Sequence, residues 1–282
     1  MFVPNDRFIN IDLINTCYWE EGQGPPLILL HGMGGSAAGW LPCIDNLKKF
    51  YKVYVLEMVG HGSTGGSANE MEGINDMAKF VIHFMDAMNI DQAAIVGHSM
   101  GAVISLELTI KYQDRVSKLV IADSSGLGRG VTPIFRLLST PVLGEILLKS
   151  TIAKDMETFV RQKRKEFSNA PSVTNELAQQ LFIKEYKPDQ YRTTLKLLRK
   201  GFNWFGQRKE FRAPILQGLP QITCPTLIIW GRQDTIVPYK HGEVAAQNIP
   251  DSTLQVIDNC GHVPMFEQPE IFNQLILEFL GT

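Results

Sequence analysis

The chain has 282 residues, 44% of them hydrophobic and 20% charged, with a net charge of −2. That is enough to bury a sizeable core, as one large α/β domain or as a domain carrying an insertion. Near-neutrality gives nucleic acid no footing as a partner, and no apolar run approaches the ~20 residues that a membrane span needs.

The N-terminal residues Met-Phe-Val-Pro-Asn-Asp-Arg-Phe lack the basic start and apolar run of a signal peptide. Four scattered cysteines (Cys17, Cys43, Cys224, Cys260) show neither a C-x-x-C pair nor metal-like spacing with histidine, so they read as free thiols. The expectation is a cytoplasmic protein with no stable membrane insertion.

In chain order, residues 7–20 alternate partially with period two and read as an edge strand pair. Residues 27–30 form a continuous apolar run, the pattern of a strand buried on both faces. A glycine-rich loop, His31-Gly32-Met33-Gly34-Gly35-Ser36, follows, with a helix expected over 37–50. Residues 53–58 are the next buried strand, 59–67 a second glycine-rich loop, and 74–88 have helical spacing. A short run at 94–96, a helix over 103–112 and a strand over 116–122 continue the alternation. Strand and helix in turn argue for a mostly parallel sheet with helices on both faces. Ligands in such sheets bind at the carboxyl ends of the strands.

From residue 124 to 213 the alternation stops. Helical segments are expected over 132–150, 152–167, 173–186 and 188–202, with prolines at several joints. This stretch carries 17 basic and 8 acidic residues, a net of +9 inside an otherwise acidic protein. Charge asymmetry and lost alternation mark it as a helical cap, with 1–123 and 214–282 forming the core domain. A segment leaving the carboxyl end of a strand lies over the ligand edge, where it can act as a lid. The sheet resumes at 225–230 and 253–257, with helices over 239–248 and 269–280.

The chemistry centres on Gly97-His98-Ser99-Met100-Gly101, placed between an apolar run and a helix. That is the pattern of a nucleophile elbow, whose tight turn needs neighbours without Cβ atoms. Serine is a weak nucleophile and needs a base, itself held by a third group. Of six histidines, His262 sits on the loop after the last strand, where Ser99 also emerges. Asp234 follows an apolar strand in the same way. Asp123 does too, which leaves two candidates for the orienting acid.

Ser99, Asp234 and His262 in that chain order, with His31–Gly35, Gly60-His61-Gly62-Ser63, Trp230–Asp234 with Val237-Pro238, and Gly261-His262 with Glu267-Gln268-Pro269, resemble the α/β-hydrolase superfamily over essentially the full length. The closest likeness is to bacterial capped serine esterases and the related carbon–carbon bond hydrolases. The resemblance implies a mostly parallel eight-stranded sheet with a helical cap inserted after the sixth strand. It also implies Ser99 as nucleophile, His262 as base and Asp234 as the orienting acid, with the N–H groups of Met33 and Met100 as oxyanion donors. Val237 and Val263 are expected to touch substrate, and no cofactor or metal is implied. Glu57 stands where the family usually has aspartate, and reads as structural.

The carbon–carbon hydrolases typically carry asparagine before the serine and tryptophan after the histidine, where this chain has His98 and Val263. Esters are therefore the first expected substrate class, C–C bonds of the meta-cleavage type the second, and a receptor with little turnover the third. Arg161, Lys163, Arg164 and Lys165 on the expected lid make anionic small-molecule esters a candidate class. Trp40, Phe135, Trp204 and Phe205 are candidate pocket walls.

Overall fold

The structure, a computed structural model, describes residues 2–66, 71, 73–151, 155–166, 174–186 and 190–281. The described residues contain an eight-stranded sheet built from β1 (Arg7–Ile11), β2 (Ile14–Glu21), β3 (Pro26–Leu30), β4 (Lys52–Leu56), β5 (Ala93–His98), β6 (Val116–Ala122), β9 (Thr226–Gly231) and β10 (Ser252–Ile257). Their spatial order is β1-β2-β4-β3-β5-β6-β9-β10. The first two strands pair antiparallel and the other six run parallel. The expected mostly parallel α/β sheet is therefore present, with its antiparallel pair at one edge.

Continuous apolar runs make the central strands because both of their faces are covered. In β3, Ile28 and Leu30 enter one core while Leu27 and Leu29 enter the other. In β4, Tyr54 and Leu56 divide from Val53 and Val55 in the same way. Each such side chain contributes roughly 1.5–3 kcal/mol by leaving water. Helices α2 (Ile74–Ala87) and α3 (Met100–Lys111) pack on the first face, and α1 (Leu41–Leu47) and α12 (Pro269–Leu280) on the second. The expected helix over 37–50 is shorter: a 3-10 turn at Ala37–Trp40 precedes α1, with Pro42 in the first turn, where its missing N–H costs nothing.

Between β6 and β9 the chain forms α4 (Pro133–Leu138), α5 (Leu143–Thr151), α6 (Met156–Glu166), α7 (Asn175–Glu185), α8 (Gln190–Gly201), a hairpin of β7 (Phe202–Asn203) and β8 (Gly206–Gln207), and α9 (Lys209–Gly218). The single helix expected over 132–150 is two. The break falls at Pro141 and Val142, whose φ of 68° is left-handed and incompatible with helix continuation. The boundary expected between 213 and 214 falls inside α9, which carries Pro214 internally and sends Ile215 into the sheet-side core. Part of the segment has its own small core of Val131, Leu138, Leu195, Leu198 and Phe202. Pro171 and Pro188 lie outside the described residues, as do the side chains of Lys163, Arg164 and Lys165.

No helix among the described residues is long and apolar enough to cross a membrane. The four cysteines are free thiols, and burial raises Cys17, Cys43 and Cys260 well above the usual thiol range.

Candidate active site

The elbow forms because its two glycines leave no room for anything else. A Cβ on Gly97 would lie 2.4 Å from the Gly101 carbonyl oxygen, and one on Gly101 would lie 2.1 Å from the Leu30 carbonyl oxygen. Strand β5 and helix α3 can therefore cross at backbone distance. Between them Ser99 takes φ 53°, ψ −106°, a conformation that costs a non-glycine residue energy and is held by its surroundings. Helix α3 begins at Met100, three residues before the expected start, so Ser99 stands directly at its N-terminus.

Two loops from the same edge of the sheet meet Ser99. The His262 Nε2 lies 3.0 Å from the Ser99 Oγ, and the His262 Nδ1 lies 2.8 Å from the Asp234 Oδ2. The carboxylate can only accept, so Nδ1 carries the proton and Nε2 faces the serine hydroxyl as an acceptor. Asp234 is buried and well provided with donors: its Oδ1 accepts from the Ile236 N–H at 2.7 Å and the Val237 N–H at 3.0 Å. Burial pushes its pKa up, but the His262 charge and these hydrogen bonds outweigh burial and hold it below the usual carboxylate range.

The glycine-rich loop after β3 packs against the elbow, with the Gly32 Cα side so close that an added Cβ would sit 3.4 Å from the Ser99 Cβ. His31 fixes this loop, its Nδ1–H donating to the Gly32 carbonyl at 2.8 Å and its Nε2 accepting from the Met58 N–H at 3.1 Å. Met33 follows on that loop. Met100 opens α3, so its N–H is one of the first-turn donors without an intrahelical acceptor. Both methionines line the cavity that contains Ser99.

Three bracing residues escaped the sequence reading. His98 is buried, and its Nε2–H donates to the His262 carbonyl at 2.7 Å. Burial and the neighbouring His262 push its pKa down to about 3, so it stays a neutral donor. Glu267 is buried and accepts from the Gly261 N–H at 2.9 Å and the Val263 N–H at 3.1 Å, clamping the backbone on both sides of His262. The Trp230 Nε1–H donates to the Val237 carbonyl at 3.0 Å and steadies the turn that carries Asp234. The motifs Gly97-His98-Ser99-Met100-Gly101, Trp230–Asp234 and Glu267-Gln268-Pro269 contain them, but gave no signal of the bracing role.

Ser99 lies where two cavities of about 310 and 510 Å³ meet, and Met33 and Phe135 line both. Val237 lines the smaller and Val263 the larger, together with Trp40. Both are lined mainly by apolar side chains, including Met100, Val103 and Ile215 on one side and Leu138, Leu148 and Leu198 on the other. Among the described residues, the ionisable ones of the lining besides the histidines are Glu107, Lys200 and Glu210 in the smaller cavity and Glu185 in the larger. The Lys200 Nζ hydrogen-bonds to the Met71 carbonyl. Two expected walls are not walls: Trp204 and Phe205 occupy the β7–β8 turn and are 58% and 66% exposed.

One trio among the described residues has the proximity of a metal site. Asp123, Asp234 and His262 bring ligand atoms within 4.8 Å of one another. The His262 nitrogens are taken up by Asp234 and Ser99, and the Asp234 oxygens by three donors, so the donor set suits a hydrogen-bonded relay better than a cation.

The sequence matches the alpha/beta hydrolase fold family over residues 25–269. It is 30% identical over 270 residues to a 2-hydroxy-6-oxo-6-phenylhexa-2,4-dienoate hydrolase of Burkholderia cepacia, covering 93% of this chain and 90% of that one. The structure is similar to a meta-cleavage product hydrolase from Pseudomonas fluorescens IP01, with a TM-score of 0.79 at 26% identity over 97% of each chain. It shares its fold with a carboxylesterase of Bacillus subtilis, with a TM-score of 0.78 at 21% identity over 99% of this chain and 92% of that one.

Proposed function

The chain belongs to the α/β-hydrolase family and is a hydrolase; on that premise we propose that it cleaves the bond between a substrate carbonyl carbon and its leaving group, with Ser99 as nucleophile. The observation that carries this reading is the unbroken run from the Ser99 Oγ through His262 to Asp234, at 3.0 and 2.8 Å. His262 takes the Ser99 proton as Oγ attacks, and Asp234 stabilises the imidazolium that forms. The oxyanion is received by the N–H groups of Met100 and Met33, each worth about 3 kcal/mol of barrier. As the intermediate collapses, the leaving group takes the electron pair and the proton from His262. Water then repeats the sequence on the acyl-enzyme and frees Ser99.

For the bond itself, the relatives weigh toward carbon–carbon cleavage, against the ester expected first from the sequence. The dienoate hydrolase and the meta-cleavage product hydrolase both match over more than nine-tenths of the chain. A carbon leaving group departs only if its electron pair passes into a neighbouring carbonyl or conjugated system. The substrate on this reading is a ketone whose scissile bond is so placed. Ester hydrolysis is the second reading. It is favoured by the apolar lining of both cavities, which among the described residues offers a carboxylate no lysine or arginine beyond the engaged Lys200, and by His98 and Val263. We further propose that the segment between β6 and β9 caps the site, since Phe135, Leu138, Leu148, Leu181, Leu198 and Phe202 from it line the cavities beside Ser99.

A substrate panel tests these readings: a 2-hydroxy-6-oxo-dienoate and chromogenic esters of several chain lengths, with the wild type and Ser99→Ala. Turnover of the dienoate that is lost in Ser99→Ala is the expected result. Turnover of esters alone replaces the first reading by the second. Activity retained in Ser99→Ala rejects the nucleophile, and inactivity of the wild type on the whole panel favours a binding protein.

A further inference from the structure

Asp123 is a buried acid that the proposed mechanism leaves unused. It follows β6 directly, next to the elbow, where the Ser99 N–H donates to the Ala122 carbonyl at 2.9 Å. Its backbone sits at φ 47°, in the left-handed region, and its own N–H donates to the Ile229 carbonyl at 3.1 Å. The side chain is fully buried. Oδ1 accepts from the Gly231 N–H at 2.9 Å, but among the described residues the buried Oδ2 meets no N–H or hydroxyl donor.

An ionised carboxylate in that position would leave bare negative charge on an oxygen in the core. What lies near it is a second carboxylate, since Asp123, Asp234 and His262 bring oxygens and a ring nitrogen within 4.8 Å. Two carboxylates so close do not both ionise in a buried site, and one of them keeps a proton. Asp234 receives three donors and Asp123 one, so Asp234 is the better anion. A proton on the Asp123 Oδ2 gives that oxygen a hydrogen to donate and removes the like charge in a single step.

We propose that Asp123 is a neutral carboxylic acid that donates its O–H to Asp234, and that it thereby tunes how strongly Asp234 holds the His262 imidazole. Asp123 is a positioning residue, acting through Asp234, and its role in catalysis rests on the triad reading above. Its ionisable surroundings fit: Asp234 after β9, Glu267 from the helix Pro264–Glu267, and Cys260 and His262 on the loop after β10. Burial first, and then the charges of Asp234 and Glu267, hold the Asp123 carboxyl well above the usual range.

Two measurements test this. The infrared spectrum of the folded wild type at pH 7 is expected to contain the carbonyl stretch of a protonated carboxylic acid, lost in Asp123→Asn. Absence of that band from the wild type overturns the proposal without any variant having to fold. Its persistence in folded Asp123→Asn overturns the assignment to Asp123. This reading needs no turnover, so it stands apart from any failure of Ser99 as the nucleophile.

The second measurement is the acid limb of kcat/KM against pH, on whichever substrate is turned over. Asp123→Asn keeps an N–H donor toward Asp234, whereas Asp123→Val removes it. The amide variant is expected to hold the acid limb in place and to exceed the valine variant by about tenfold in kcat/KM, the effect of one hydrogen bond to a charged group. In Asp123→Val, Asp234 loses a donor and pulls harder on the imidazolium, so the limb moves to higher pH. An ionised Asp123 would give the opposite sign, because Asp123→Asn would then remove a negative charge within 4.8 Å of the trio's other atoms and move the limb to lower pH. That result, or equal activity in the two variants, refutes the role.

Discussion

Lys184→Met is the substitution that best tests how the segment after β6 is held to the core. Lys184 lies on α7 with its side chain only 11% exposed, and its Nζ reaches three partners from the sheet domain. It hydrogen-bonds to Asp6, sits 3.5 Å from the Ser63 Oγ and 3.7 Å from the Glu57 Oε1. Glu57 is completely buried after β4, and its Oε1 also accepts from the Ala37 N–H at 3.2 Å, just beyond the glycine-rich loop. At 3.7 Å the Lys184–Glu57 attraction is about 4.5 kcal/mol for an effective dielectric of ~20. Some of that offsets the cost of desolvating the ammonium. Removing one partner of a buried pair typically costs about 3–5 kcal/mol. Glu57 keeps the N–H donors of Ala37 and Ser63, so the lower end applies. The expected loss is about 3 kcal/mol, a fall in Tm of roughly 5 °C by differential scanning calorimetry. Lys184→Met/Glu57→Gln is expected to recover part of it, because no unpaired charge is then left inside. A loss below about 1 kcal/mol, the range of exposed ion pairs, would refute this account. So would strict additivity of the two single substitutions.

Three further outcomes are expected. Gly101→Ala places a methyl 2.1 Å from the Leu30 carbonyl oxygen and 2.8 Å from that of His31, so it should cost about 3 kcal/mol in urea denaturation and lower kcat about 100-fold by displacing the Met100 N–H. His31, His61 and His98 have pKa values pushed down by burial to about 4, 3 and 3, so the unfolded chain binds protons that the folded chain refuses. Their stabilising contribution is complete above pH ~6.5 and is lost as pH falls, through about 4 for His31 and about 3 for His61 and His98, with about 2 kcal/mol of each gone by pH 5; a Tm that stays flat between pH 7 and 5 would contradict this. Glu185→Gln removes an acid from the wall of the larger cavity and should raise the ratio of dienoate to neutral-ester kcat/KM by about threefold to tenfold, whereas an unchanged ratio would place the dienoate carboxylate elsewhere.

The candidate site was legible because its geometry is imposed locally. A serine between a strand and a helix needs glycines at 97 and 101, and the atoms those glycines avoid are backbone atoms of β3 and α3. Asp234 was legible because it follows an apolar run, and His262 because it lies on the loop after the last expected strand. The bracing residues were not. His98 meets His262 across 164 residues, and Glu57 meets Lys184 across 127, so no local pattern announces either pair. The break at Pro141 was readable only in part, since the left-handed Val142 has no sequence signature of its own. Charge marked the segment after β6 but not its end, because charge reports solvated faces while α9 runs through the expected boundary. Trp204 and Phe205 show the same limit: aromatic composition says nothing about which side of a turn faces solvent.

The relatives and the cavity lining bear on different parts of the reaction. Ser99, His262, Asp234 and the two candidate oxyanion donors all stand on the sheet edge, and a shared fold carries that edge with it. Likeness to dienoate hydrolases therefore weighs on how a carbonyl is attacked. Part of the wall of the larger cavity comes from α4, α5, α7 and α8, where Phe135, Leu148, Leu181 and Leu198 are contributed by the chain between β6 and β9 that we propose as the cap. Loops and insertions change faster than the scaffold that positions a catalytic group, since they can vary without disturbing the sheet. An apolar cavity with Glu185 in its wall, beside the proposed nucleophile Ser99, fits our proposal of a hydrolase that shares its relatives' chemistry while meeting a less anionic substrate. The dienoate-to-ester ratio separates the two contributions, because Glu185 belongs to the wall and takes no part in the attack.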